Sequence, residues 1–154
     1  GVLMGEHGVQ EKGPHPYSEQ LNIPLVVANH PSVQKGSRST SLSSNIDIPA
    51  TILSIAGYPE AFGLSRDLLD LASECPANPR KTNFSEYGDV IKIVEDENYR
   101  FAYYPFIGAC QLFNKKKDLL EVDNLCRDEG YEKIQVEFFM TLMMMVICFL
   151  KKMI

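Results

Sequence analysis

Residues 82–114, TNFSEYGDVIKIVEDENYRFAYYPFIGACQLFN, decide the fold of this chain. β-Branched and aromatic residues crowd into short runs at 82–87, 90–95, 99–104 and 111–114. Gly88-Asp89 and Glu97-Asn98 divide them, and such residues favour turns. Short runs at this spacing predict a small antiparallel meander. Within it, Tyr99, Phe101, Tyr103, Tyr104 and Phe106 form an aromatic cluster. In a short sheet such a cluster reads as core. The alternative is a platform that stacks on sugar rings or bases.

On the C-terminal side, residues 115–124 are a polar connection, and the chain reads as helical from Tyr131. Residues 138–150 (FFMTLMMMVICFL) are almost unbroken apolar sequence before Lys151-Lys152. They fall short of the about 20 residues that a bilayer span needs. Apolar character on every face predicts a helix that is buried or covered by a partner, with membrane association as the alternative.

On the N-terminal side, residues 58–82 contain Pro59, Gly63, Pro76 and Pro79, a long connection with room for a short helix at 66–72. Residues 47–57 predict a helix with Asp47 as N-cap and Pro49 in the first turn. Ile48, Thr51, Ile52 and Ile55 fall on one face, and Gly57 supplies the stop. Residues 32–45 are polar and Ser-rich, and residues 21–28 (LNIPLVVA) read as a buried strand entered at Pro24. A lone strand needs neighbours on both edges. Residues 1–80 are therefore expected to be the incomplete end of an α/β domain, and residues 81–154 a subdomain of antiparallel sheet and helix. Residues 1–20 are a loop rich in Gly, His, Pro and charge, the kind of segment that carries function.

The 154 residues are 45% apolar and 23% charged, ordinary for a soluble globular protein. A net charge of −5 with no basic stripe argues against nucleic acid as a partner. Cys75, Cys110, Cys126 and Cys148 are widely spaced with no C-x-x-C pair, which gives a zinc site little support. One or two disulfides remain open, with the pairing unfixed. Asn83-Phe84-Ser85 fits the N-glycosylation pattern, but its place in a strand argues against use. Residues 1–8 (GVLMGEHG) carry no initiator Met or signal peptide and read as the middle of a longer chain.

Six blocks in order resemble the C-terminal part of the sulfatase family, from Gly1 to about residue 135. Residues 1–8 with Lys12-Gly13-Pro14, Tyr17-Ser18-Glu19 and Ile23-Pro24-Leu25-Val26-Val27 look like the stretch after that family's Ser-Asp-His/Asn-Gly metal motif. Residues 44–53 with Ile55-Ala56-Gly57 resemble its D-x-x-P-T-L-L-x-x-A-G helix. Phe84-Ser85-Glu86-Tyr87 and Tyr99-Arg100-Phe101-Ala102-Tyr103-Tyr104 are similar to two of its strands. Gln111-Leu112-Phe113-Asn114, Asp118, Glu121-Val122 and Asn124-Leu125 look like its E-L-Y-D-L-x-x-D-P-x-E-x-x-N-L element. Leu119 stands where the family has Pro, and the apolar tail departs from the family's charged amphipathic helix.

The resemblance implies an alkaline-phosphatase-like α/β sandwich with a small antiparallel subdomain and a terminal helix. It implies cleavage of sulfate esters, on glycans or small molecules, by a formylglycine nucleophile beside a divalent metal, usually calcium. Oxygen ligands suit such a hard cation, and they are expected just before Gly1, in an N-terminal part outside this chain. The formylglycine motif C/S-x-P-S/T-R is absent. Cys75-Pro76-Ala77-Asn78-Pro79-Arg80 puts its prolines and arginine out of register. No catalytic residue is therefore expected here, and the chain alone is expected to be inactive. Lys12 matches the family's sulfate-contacting lysine, and an ammonium suits a tetrahedral oxyanion. His15, between Pro14 and Pro16, and His7, between glycines, are further candidates to line the pocket; a structural histidine is the plainer reading of each. Glu6 and Glu19 are candidates to orient Lys12 or His15, with a solvated or structural carboxylate as the plainer reading. Two other readings stay open: a phosphonate or phosphate ester hydrolase or transferase of the same superfamily, and a non-catalytic module that binds a partner through its sheet and apolar tail. Relatives are commonly exported, periplasmic or lysosomal, and the sequence assigns no compartment to this chain.

Overall fold

The computed structural model describes residues 1–58, 63–73 and 76–151, with side-chain surroundings given up to residue 147. They group into two compact units, Gly1–Pro24 with Phe84–Lys151, and Leu25–Asn83.

The first unit is built on the meander expected of residues 82–114. Strands β1 (Asn83–Tyr87), β2 (Ile91–Glu95), β3 (Tyr99–Tyr104) and β4 (Ala109–Asn114) form one antiparallel sheet in chain order. The register sorts side chains onto two faces. Val94 lies opposite Phe101, and Phe101 opposite Leu112. Helix α4 (Glu132–Lys151) sets Phe138 and Leu142 on that face. Tyr99 meets Phe138 edge-on at 6.4 Å, and Tyr103 meets Phe139 edge-on at 5.1 Å. The aromatic cluster is thus core, except Phe106, which is exposed in the turn after β3.

The apolar tail is not buried all round, contrary to its sequence. Phe138 and Leu142 are buried, whereas Val136, Met140, Met144 and Ile147 are exposed. A helix laid on one side of a sheet has one dry face, and its composition cannot create a second. No described helix is long and apolar enough to cross a membrane. Cys75 and the side chain of Cys148 lie outside the described residues. Cys110 on β4 and Cys126 form a disulfide, with Cα atoms 6.1 Å apart.

The opposite face carries Ile91, Ile93 and Ala102, packed by Leu21 and Tyr104. It also carries Arg100, whose register partners are Glu95 and Phe113. Arg100 is 0% exposed. Its Nε and one terminal nitrogen donate to Glu95 at 2.9 and 2.7 Å. Its other terminal nitrogen donates to the Pro16 carbonyl and the Ser18 hydroxyl, each at 3.1 Å, and to Glu121. Lys115 Nζ donates to Glu95 at 3.1 Å. Two cations meet two carboxylates, the condition under which buried charge is tolerated. Burial pushes the Glu95 carboxyl up, but Arg100 and Lys115 outweigh it and hold the group below the ordinary carboxylate value.

The second unit contains α2 (Asp47–Ile55) and α3 (Leu68–Leu71). Both helices were legible in the sequence, and Gly57 ends the first with φ 88°, a conformation glycine adopts without strain. Three expectations need correction. Asp47 does not cap its own helix. Its buried carboxylate accepts from the backbone N–H of Ser44 at 2.7 Å and of Arg66 at 2.8 Å, and pairs with Arg80. Arg80, the arginine of the false Cys-Pro motif, is therefore structural. The buried face of α2 is Asp47, Ala50 and Thr51, not the isoleucines; Ile52 is 60% exposed. The ionic anchor at Asp47 and the bond from Leu68 N–H to the Thr51 hydroxyl, 2.8 Å, fix that rotation. Residues 21–28 are not a strand. Leu21 ends α1 (Ser18–Leu21), and residues 22–28 belong to no helix or strand. An apolar run cannot become a strand without a neighbour to take its hydrogen bonds. Asn83, buried, donates its amide to the Ser43 carbonyl at 3.0 Å, which opposes its use as a glycan acceptor in the folded chain.

Replacing Arg100 with Met leaves the buried Glu121 without its cation and Glu95 with Lys115 alone, and is expected to destabilise the chain by about 3–5 kcal/mol, read by chemical denaturation. The pH dependence has a fixed sign. The folded Glu95 carboxyl lies below its ordinary value of 4.5, so its stabilisation is full above that pH and is lost as pH falls through the folded value. Melting temperatures measured across the acid range should fall more steeply for the native chain than for Glu95→Gln.

Candidate functional site

The loop of residues 1–17 closes on itself and on α1. The N-terminal amine donates to the Gln20 carbonyl at 2.8 Å. Leu3 is fully buried, and its N–H donates to the Glu11 carbonyl at 3.3 Å. The Gly13 N–H donates to Gln20 Oε1 at 3.3 Å, and the Gln20 amide donates back to the Gly13 carbonyl. Gln20 thus holds Gly13 from both sides, one residue after Lys12. Lys12 is exposed, and among the described residues it makes no hydrogen bond or ion pair.

The two histidines converge on Tyr17. His7 stacks on its ring at 3.5 Å with planes 5° apart, and His15 lies nearly parallel to it at 6.4 Å. Tyr17 in turn leans on Phe113 of β4 at 6.0 Å. His7 has φ 55°, in the left-handed region, which turns the short 3₁₀ segment Glu6–Gly8 back toward the ring. His7 Nε2 is 3.8 Å from Glu19, and His15 Nε2 is 3.7 Å from Glu11. The buried His15 Nε2 has no hydrogen-bond partner. It rests against Gly13, where an added Cβ would come within 2.9 Å. Both imidazoles therefore serve as packing for the loop in this conformation. Glu6 accepts from the Met4 N–H at 2.6 Å, and that bond draws its carboxyl below the ordinary value.

Lys12, His7 and His15 thus share one tied loop. The sequence reading missed what seats that loop on the sheet: Tyr17, Ser18, Arg100 and Glu121. A signal was present, because Arg100 interrupts the apolar strand YRFAYY at a position whose neighbours in register point inward. The open cavity of about 540 Å³ in the second unit, lined by Leu25–Val27, Arg38, Leu68 and Leu71 among others, contains none of the candidates. Among the described residues no three His, Cys, Asp or Glu side chains are grouped to hold a metal ion.

The sequence matches the family described as N-sulphoglucosamine sulphohydrolase, C-terminal, over residues 5–146. It is 26% identical to an N-acetylglucosamine-6-O-sulfatase of Bacteroides thetaiotaomicron, over 92% of this chain and 28% of that protein. The fold is similar to that of BT4656, solved in complex with its substrate D-glucosamine-2-N,6-O-disulfate, with a TM-score of 0.81 and 23% identity over 97% of this chain and 33% of that one. A further crystal structure, of a proposed sulfatase from Bacteroides thetaiotaomicron, matches with a TM-score of 0.77 and 25% identity over 92% of this chain and 33% of that one. The chain spans only about a third of the length of these relatives. The expected mixed α/β class, related to alkaline phosphatase, stands on these likenesses. With 5–146 matched and the meander, terminal helix and Lys12 loop in the order the motifs require, this chain belongs to the C-terminal family of the N-sulphoglucosamine sulphohydrolases, a sulfatase family.

Proposed function

We propose that this chain is the C-terminal part of a sulfuric ester hydrolase, and that Lys12 contributes to binding the sulfate group. One observation carries this reading. The family match runs through a loop whose single exposed lysine is held at its base and left without a partner. A compact ammonium offers three donors to the oxygens of a tetrahedral anion. The names of the relatives support a sulfated glucosamine unit as the substrate class. His7 and His15 are proposed to act on the substrate through the loop they brace, with His15 Nε2 as the polar atom that a loop movement would release.

The remaining parts of the reaction lie in the N-terminal part of the parent on this reading. The nucleophile is proposed there as formylglycine, and the metal, proposed as calcium, as held by Asp and Asn or His side chains preceding Gly1. When bound, the metal stabilises negative charge on the sulfuryl oxygens. Residues 1–80 are proposed as the end of the catalytic α/β domain, and residues 81–154 as its sheet-and-helix subdomain. The exposed Val26, Ile48, Ile52 and Ile55 support this division, because such apolar surface calls for cover by further chain.

The chain alone, assayed with an aryl sulfate and calcium, is expected to show no turnover above a Lys12→Ala control. In the longer protein encoded with its preceding sequence, Lys12→Ala is expected to lower kcat/KM by about 100-fold or more, the scale for losing one anion-stabilising donor. Turnover by the chain alone, or a longer protein indifferent to Lys12, overturns the proposal.

A further inference from the structure

The contacts within residues 1–21 hold the Lys12 loop in its own shape, yet few of them hold it to anything else. Bonds from Gly1 to Gln20, from Leu3 to Glu11 and between Gly13 and Gln20 all begin and end inside the segment. The polar attachment to the sheet runs through Ser18. Its N–H donates to Glu121 Oε2 at 2.7 Å, and its hydroxyl donates to Glu121 Oε1 at 3.2 Å. The same hydroxyl and the Pro16 carbonyl accept from Arg100. Arg100 also pairs with Glu121, so the three side chains form a closed ring of charge-assisted bonds.

Glu121 has an unusual backbone for this task. Its φ is 52°, in the left-handed region, although it is neither glycine nor asparagine, and it is 3% exposed. A residue held there in a folded chain is over-determined by its surroundings. Here the reward is visible: the carboxylate reaches inward to Ser18 and Arg100 instead of outward to water. The connection of residues 115–124 is thereby more than a link between β4 and the terminal helix.

We infer that Ser18, Arg100 and Glu121 are positioning residues for the anion-binding loop, a clamp by which the sheet subdomain sets the placement of Lys12. The inference rests on the reading of Lys12 as a sulfate-binding group. The clamp takes hold at Pro16 and Ser18, four and six residues beyond Lys12, and the Gly13–Gln20 bonds carry that placement back to the base of the lysine. Tyr17, seated on Phe113 between the clamped residues, fixes the rotation of the segment.

The test uses this chain with inorganic sulfate as the probe, followed by NMR at the Lys12 ammonium and ε-methylene, beside amide hydrogen exchange. Ser18→Ala removes the hydroxyl without stranding a charge, so the sheet should keep its exchange protection. Exchange at residues 8–15 should rise about tenfold, the scale of one hydrogen bond to a charged group. The Lys12 response to sulfate should weaken to a similar degree. Ser18→Thr restores a hydroxyl and should restore both, a rescue that a general loss of stability would not produce. Lys12→Ala should abolish the sulfate response without raising exchange at the clamp. If the native chain shows no Lys12-dependent response to sulfate, the anion-binding reading fails and the inference falls with it. If the response is present but Ser18→Ala leaves both it and loop exchange unchanged, the clamp alone is wrong.

Discussion

A guanidinium buried in a sheet must bring its counter-charges with it, and the first unit of this protein is arranged around that requirement. Arg100 on β3 meets Glu95 directly across the β2–β3 ladder, so half of its neutralisation comes from the register itself. The other half cannot come from the sheet. It is supplied by Glu121 from the connection after β4 and by oxygens of Pro16 and Ser18 from the opposite end of the chain. An unpaired charge here would be more damaging than an apolar residue in its place. The sheet, the connection and the N-terminal loop are thus obliged to assemble together. A backbone carbonyl 84 residues away in sequence is tied to that one guanidinium.

That obligation explains why the two faces of the sheet differ. The face under α4 is dry, closed by Val94, Phe101, Leu112, Phe138 and Leu142, and hydrophobic burial is enough to hold it. The other face holds a smaller apolar cluster beside the ion network, with Leu21 and Tyr104 packed against it. Burial is non-directional and tolerates small slides; charge-assisted hydrogen bonds do not. The face that supports the candidate site is the directional one.

The elements whose signal is local were legible from sequence. The four strands show β-branched and aromatic runs with turn residues between them, the helix from Asp47 shows its stop at Gly57, and the helix beyond Tyr131 shows its length. What escaped was set by partners distant in sequence. Asp47 looked like a cap because caps are local, but its carboxylate serves Ser44, Arg66 and Arg80. The isoleucines of α2 looked like its inner face because they are apolar, but the anchors at Asp47 and Thr51 turned them outward. Residues 21–28 looked like a strand by composition, but strands are made by neighbours. The site shows the same division. The candidates Lys12, His7 and His15 rest on the family resemblance and on their place in the loop, and the structure shows them on one tied loop. The residues that hold them, Ser18, Arg100 and Glu121, are separated by loops whose closure no local pattern records.

A lysine on a loop is ordinarily a solvated charge of little consequence, since its flexible stem lets it go where water is. Binding an anion from that state requires the stem and the loop to be ordered, which opposes the Coulomb attraction. The loop around Lys12 has already lost most of that freedom. Gln20 grips Gly13 through both ends of its amide, His15 lies against the same glycine, and Tyr17 rests on Phe113. Only the lysine side chain remains to be ordered. Preorganisation of the backbone with freedom of the terminal ammonium is what separates a binding lysine from a surface one. On the proposed reading of Lys12 as a sulfate-binding group, that difference would be made by groups on β3 and after β4.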